Sequence, residues 1–320
     1  MSFVRGKTEK EMKRTKPPKK KQTASLILTG DWHLRESQPI SRTDDFWQAQ
    51  WDKVRQIREL QEEHDCPVVM SGDLFHHWKP SPYLLSKTLK NLPKKFYLVA
   101  GNHDLPQHNL ELIEKSGLQV LIEARPDILL SECHWGQEPD KGSLNQVTFE
   151  PANNPPLPGK ERKVLVWHVM TYMGKPPWPG CQDLPGHKLL KKYPQFDLIL
   201  TGHNHMTFAT EMDGRWLVNP GSITRQTSDQ INHQPCVYLW YREDNSVERK
   251  FLEVSDNVIS REHITKKEQR DERIAAFVEK LNDDWEGTVS FEENLERFFA
   301  LNDIKQPVKE IIYEAIDIKK

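Results

Sequence analysis

The residue pattern predicts an α/β fold built on a largely parallel sheet, and three observations predict it. Short apolar runs recur along the chain and end in glycine or polar residues. Segments with apolar residues at helical spacing lie between those runs. The strand, helix, strand order then repeats, which sets successive strands side by side with helices packed on their faces.

Leu26, Ile27 and Leu28 form the first run, ending at Gly30 and Asp31. A helix follows, with its cap expected at Thr43 and with Phe46, Trp47, Trp51, Val54, Ile57 and Leu60 at helical spacing. Val68, Val69 and Met70 lead to Gly72 and Asp73. A helical stretch from about Tyr83 to Leu92 then leads into Phe96 to Val99, which ends at Gly101 and Asn102. After a less regular, proline-rich region from Glu138 to Lys163, Val164 to Val166 lead to His168, and Leu198 to Leu200 lead to Gly202 and His203. Phe208 to Glu211, Trp216 to Val218 and Val237 to Tyr241 read as antiparallel strands. From about Ser260 the composition shifts to charged helix formers. Ile274, Phe277, Val278 and Leu281 line one face there. Phe291, Leu295, Phe298 and Phe299 follow, then Val308, Ile311, Ile312 and Ile316. The expected organisation is a basic arm over 1–22, a main domain over 23–255 and a small helical extension over 256–320.

A chain of 320 residues with 29% charged residues and a formal charge of -2 is expected to be a hydrated globular protein, and its bulk charge selects no partner. The arm is less neutral. Lys7, Lys10, Lys13, Arg14, Lys16, Lys19 and Lys20 stand against Glu9 and Glu11 alone. Such a segment is expected to be disordered, and either screens nucleic-acid phosphates or is an inert solvated tail. No apolar run has the form of a signal peptide or the length of a membrane span, so no membrane association is expected. Cys66, Cys133, Cys181 and Cys236 are scattered, as free thiols of a reducing, cytoplasmic setting would be.

Five apolar runs end in polar clusters: Asp31 with His33, Asp73, Asn102 with His103, His168, and His203 with His205. Ligands of open α/β sheets gather at the carboxyl ends of strands, where separate loops converge. Carboxylate, imidazole and amide donors without thiolate suit Mn, Fe, Zn or similar ions with open coordination positions. Two divalent ions bring about four positive charges, of which Asp31 and Asp73 return two. The surplus favours an anionic substrate such as a phosphate ester, and paired ions can hold a hydroxide nucleophile and clamp phosphoryl oxygens. A lone histidine is more often structural than a ligand, and His64, His108, His134, His187, His233 and His263 are assigned to that class.

DWH at Asp31 to His33, GD at Gly72 and Asp73, GNHD at Gly101 to Asp104, His168, and GHNH at Gly202 to His205 together resemble the calcineurin-like metallophosphoesterases. The resemblance spans roughly residues 25 to 245. It implies a four-layer α/β sandwich of two mixed sheets flanked by helices, in place of the simpler parallel sheet. It also implies that Asp31, His33 and His205 hold one metal, that Asn102, His168 and His203 hold the second, and that Asp73 bridges. His103 would act on the leaving-group oxygen as a general acid, and Asp104 would orient His103 through a hydrogen bond.

GDLFH at Gly72 to His76, DWHL at Asp31 to Leu34 and NPGS at Asn219 to Ser222 are similar to DNA-repair exonucleases of the SbcD type. That implies a further catalytic role for His76, and Arg35, Arg42, Trp78 and Lys79 are expected, from their position alone, to supply stacking and phosphate contacts beside the metals. It also implies DNA as partner, a homodimer, and C-terminal helices that either dock on a coiled-coil ABC-type ATPase or pack back on the core. The region after Trp240 is too short for the DNA-capping domain of the long repair nucleases. The alternative activity is a phosphodiesterase or phosphatase acting on nucleotides or other small esters, because the metal chemistry does not choose the leaving group. A non-catalytic scaffold is the third reading, and the complete set of motif positions counts against it.

Overall fold

The computed structural model describes residues 23–130, 133–139, 162–283 and 290–315. The basic arm over 1–22, residues 140–161 of the proline-rich region, Ile316, and the side chains of Phe277, Val278 and Leu281 lie outside the described residues. The chain divides into two units, Met1–Ile259 and Ser260–Lys320.

The first unit begins β1 (Leu26–Thr29), α1 (Phe46–His64), β2 (Val68–Met70), α2 (Pro82–Asn91), β3 (Phe96–Leu98) and α3 (Gly117–Ala124). It continues with β4 (Val164–Trp167), β5 (Thr171–Tyr172), β6 (Leu184–Pro185), α4 (Gly186–Lys192) and β7 (Leu198–Thr201). It ends with β8 (Phe208–Met212), β9 (Arg215–Asn219), β10 (Cys236–Tyr241) and β11 (Ser246–Phe251). One sheet has the order β11-β10-β1-β2-β3 and another the order β4-β7-β9-β8, while β5 and β6 form a short parallel pair.

The parallel-sheet expectation gives way to two mixed sheets. β1, β2 and β3 are parallel, as are β4, β7 and β9, but β8, β10 and β11 run antiparallel to their neighbours. The β8–β9 hairpin follows from two residues. Asp213 and Gly214 both adopt positive φ (54° and 73°), the backbone that a tight two-residue turn requires, and Met212 pairs with Arg215 across it.

Alternation along the strands builds the layers. Leu26 and Leu28 face a core shared with Val164, Val166, Leu198 and Leu200 of the second sheet. Ile27, Val68 and Met70 point the other way, onto Trp51, Val54 and Ile57 of α1. Leu165, Ile199 and Leu217 meet Leu189 and Leu190 of α4 on the far side. The result is helix, sheet, sheet, helix, the sandwich the motifs implied. Each fully buried aliphatic side chain of this kind contributes about 1.5–3 kcal/mol.

The α1 cap lies two residues beyond its expected place. Asp45, not Thr43, accepts the Gln48 N–H at 2.9 Å. Thr43 instead donates its hydroxyl to the Asn257 carbonyl, and Asp44 is taken by Arg42. In the second unit, α5 (Glu262–Asp283) precedes α6 (Phe291–Leu301) and α7 (Gln306–Ala315). Ser290 and Glu293 form a capping box on α6. Leu295, Phe298 and Phe299 face inward at helical spacing, with Ile304, Ile312 and Tyr313 packed against them.

Candidate metal centre

Each apolar run delivers its polar residues from the carboxyl end of a parallel strand. The backbone turns sharply there: Asp31, His33, Asp73 and His203 all sit in the left-handed region, at φ 49°, 47°, 57° and 69°. Asp, Asn and His tolerate that region better than branched residues do, which suits the residue types found. Gly72, at φ 103°, has a second constraint. A Cβ on it would lie 2.5 Å from His168 Nδ1, so only glycine lets the imidazole approach. The loops after β1 and β2 are joined by main-chain bonds from Asp31, His33 and Leu34 to Gly72, Asp73 and Leu74, at 3.1, 3.0 and 2.9 Å.

The side chains fall into two groups. Nε2 of His33 and Nε2 of His205 lie 2.9 Å apart, and His33 Nε2 is 3.5 Å from Asp73 Oδ2 and 4.0 Å from Asp31 Oδ1. Opposite them, Asn102 Oδ1 is 3.0 Å from His168 Nε2 and 2.9 Å from His203 Nδ1, and His168 Nε2 is 3.4 Å from Asp73 Oδ2. Donors that share one ion at bond lengths of about 2.0–2.2 Å stand about 3–3.5 Å apart, so both spacings fit an ion each.

The carboxylates add a test of fit. Asp31 Oδ1 accepts the His203 N–H at 3.0 Å and Asp73 Oδ1 accepts the His103 N–H at 2.8 Å. The other oxygen of each, Oδ2, is buried without a hydrogen-bond partner. A buried carboxylate oxygen without a donor is costly, and cations satisfy such atoms. His168 donates Nδ1–H to the Ser71 carbonyl at 2.6 Å, which leaves Nε2 as the ligand nitrogen. The donor set therefore suits two cations with Asp73 between them.

Electrostatics follow from burial and crowding. Burial pushes Asp31 up to about 7 although His168 opposes it. Burial would also raise Asp73, but His168, His33 and His103 outweigh it and hold that carboxyl well below the usual range. Burial would lower His168, yet Asp73 pushes it up to about 9. His203 is lowered to about 4, chiefly by burial and then by His168.

Beside the ligand candidates, His76 and His103 have ring centroids 5.6 Å apart, and each ring also packs against His33. The expected bond between Asp104 and the His103 imidazole is not formed. His103 donates Nδ1–H to the His76 carbonyl at 2.8 Å. The Asp104 carboxylate accepts instead from the backbone N–H groups of Leu74, Phe75 and Gly101, at 3.2, 3.0 and 3.1 Å. It is fully buried and turned toward main chain, so it fixes the two loops rather than the ring. Burial, reinforced by Asp73, raises it to about 6.

Arg42 is also corrected as a substrate contact. Its guanidinium closes on Asp44 at 2.7 and 2.6 Å, donates to the Arg225 carbonyl at 2.9 Å and stacks on Phe46. Arg35 is half-buried and bonded to Ser37, and burial first, then the Arg35 charge, lowers the His76 imidazole to about 4. Trp78 lies against His77, and Lys79 is exposed with its N–H on His77 Nδ1.

Other residues at the centre were not among the expected site residues. The Trp135 ring lies 4.8 Å from that of His203 and 5.8 Å from that of His168. His108, assigned to the structural class, contacts the Asn102 carbonyl through Nδ1 at 2.8 Å. Asn219, inside the NPGS segment, holds the GHNH loop through the Asn204 and Met206 carbonyls at 2.6 and 2.8 Å.

The family profile described as Calcineurin-like phosphoesterase matches residues 24–207. The chain belongs to that family. Among curated proteins, the chain is 27% identical over 219 residues to the DNA double-strand break repair protein Mre11 of Haloferax volcanii. That match covers 64% of this chain but 46% of the relative, so the chain spans less than half of the relative's length. Solved structures with a similar fold include an archaeal phosphodiesterase, with 15% identity and TM-score 0.38 over 71% of this chain and 99% of that one. A putative 5'-nucleotidase from Staphylococcus aureus matches with 14% identity and TM-score 0.42 over 77% and 58%. No helix among the described residues is long and apolar enough to cross a membrane.

Proposed function

We propose that this phosphoesterase is a two-metal nuclease of the SbcD type that cleaves DNA phosphodiesters in repair or recombination, with manganese as its preferred ion. The observation that carries the two-metal reading is Asp73 Oδ2, partnerless and 3.5 and 3.4 Å from imidazoles of the two groups. Asp31, His33 and His205 would hold one ion, and Asn102, His168 and His203 the other. The ions would supply charge stabilisation and a nucleophile at neutral pH.

The chain's own residues do the rest. His103 has its Nδ1–H engaged by the His76 carbonyl, so Nε2 is the nitrogen that would, in the doubly protonated ring, give a proton to the leaving oxygen. His76 and half-buried Arg35 border it and supply donors for the flanking phosphate. DNA as substrate is supported by the GDLFH segment carrying His76 and by the similarity to a break-repair protein. A coiled-coil ATPase docking on α6 and α7, a homodimer and a cytoplasmic setting extend the same reading.

The test is end-labelled single-stranded, duplex and hairpin DNA incubated with the purified chain and Mn, Mg, Zn or Fe. Degradation with Mn is expected. Turnover of a nitrophenyl phosphodiester with intact DNA would replace this reading with a small-ester phosphodiesterase.

A further inference from the structure

A cavity of about 250 Å³ opens among α1, Thr224 with Arg225, and the segment from Glu253 to Ser255. No candidate metal ligand lines it. Its cations divide by what they touch. Arg42 is closed on Asp44, and Arg55 on Asp52 and Glu59. Lys53 and Arg225 are different.

Lys53 is 7% exposed, and among the described residues its ammonium donates only to the Glu253 carbonyl. Arg225 is half-buried and donates Nε–H to the His233 carbonyl at 2.6 Å, with no bond from its terminal nitrogens among the described residues. An ammonium has three N–H donors and a guanidinium five, so most of this donor capacity is unmet beside the cavity. Thr224 adds a hydroxyl that accepts from Gln226 at 3.1 Å and keeps its own proton to donate. Asp52, Glu253 and Asp44 are the carboxylates that act on Lys53, and Asp256 acts on Arg225. Arg42, Lys53, Arg55 and Arg225 line the cavity against Asp44, Asp52 and Glu253, so the lining keeps a surplus of one positive charge.

We propose that this cavity binds a phosphate group through Lys53, Arg225 and Thr224, either from a DNA backbone or from a free phosphate ester. The donors are held in place before binding: Arg42 donates to the Arg225 carbonyl at 2.9 Å, which fixes the segment carrying both Thr224 and Arg225. The segment also reaches the metal centre, since the Ser222 N–H donates to the His205 carbonyl at 3.1 Å. Only the DNA source rests on the nuclease reading.

The experiment titrates inorganic phosphate into the full chain in EDTA at constant ionic strength, read by calorimetry. Saturable single-site binding is expected, weakened at least about tenfold in Lys53→Met and in Arg225→Gln, as loss of a charged hydrogen bond implies. Duplex DNA binding is then measured against salt. A slope reduced by about 0.9 in each variant assigns the site to backbone phosphate. An unchanged slope with weakened phosphate binding assigns it to a free ester. Absence of phosphate binding by the natural chain, or equal affinity in a folded Arg225→Gln variant, overturns the proposal. Phosphate binding lost in the variants of a chain that leaves DNA intact would keep the cavity and remove the nuclease reading.

Discussion

His103 gives its Nδ1–H to the main-chain oxygen of His76 across 2.8 Å, so the aim of one imidazole is set by the backbone of the other histidine. The His76 side chain can therefore be changed without releasing His103.

His103→Ala is expected to keep both metals and to lower turnover by about two to four orders of magnitude, the loss typical of a general acid. Asp73→Asn is expected to lose metal and activity together, because its partnerless oxygen lies between both donor groups. Elemental analysis beside turnover separates the two. Equal metal loss in both variants would refute the division of roles.

Asp104→Asn should destabilise the fold by about 2–4 kcal/mol, because an amide cannot accept all three backbone N–H groups that the buried carboxylate holds. Denaturant midpoints report this. A stable variant impaired only in turnover would restore the ring-orienting role first expected of Asp104.

Gly72→Ala should fold with reduced metal content. The added methyl meets His168 Nδ1 at 2.5 Å and φ 103° disfavours any side chain, at a cost of about 1–3 kcal/mol for the backbone alone. Full metal loading in this variant would show that the loop shifts at little cost.

Arg42→Gln should lower stability by about 2 kcal/mol or more, since the guanidinium is closed on Asp44 and on the Arg225 carbonyl, as read from the denaturant midpoint. An unchanged midpoint would show that these bonds do not hold the fold and would return Arg42 to the substrate surface.

His134 sets a pH dependence. Its Nδ1 accepts the Ala100 N–H at 3.0 Å, and burial lowers it to about 4 from an ordinary value of 6.5. The neutral form is favoured on folding, so its stabilisation is complete above 6.5 and is lost as pH falls from there to about 4. The expected loss is on the order of 2 kcal/mol between pH 7 and 5. His134→Gln should flatten this window in urea unfolding, and equal slopes for the two proteins would refute the assignment.

The site was far more legible than the layering. Asp31, Asp73, Asn102, His168 and His203 each follow an apolar run closely, and chain order alone places them at strand ends. The two sheets were hidden because β1, β4 and β7 are buried on both faces, so no polar alternation marks which face meets helix and which meets the other sheet. The motif resemblance supplied that layering. Arg42 misled because a local partner, Asp44, takes its charge. Trp135 reaches the centre through the Trp135 N–H to Ala100 carbonyl bond, a long-range pairing with no spacing to read.

The unusual main-chain geometry at Asp31, His33, Asp73 and His203 has a practical consequence for mutagenesis. Alanine there removes a donor and also replaces a residue tolerant of that conformation, whereas asparagine removes the charge and keeps the tolerance. Paired Asn and Ala exchanges at Asp31 and Asp73 would thus report separately on what the ion requires and on what the loop requires.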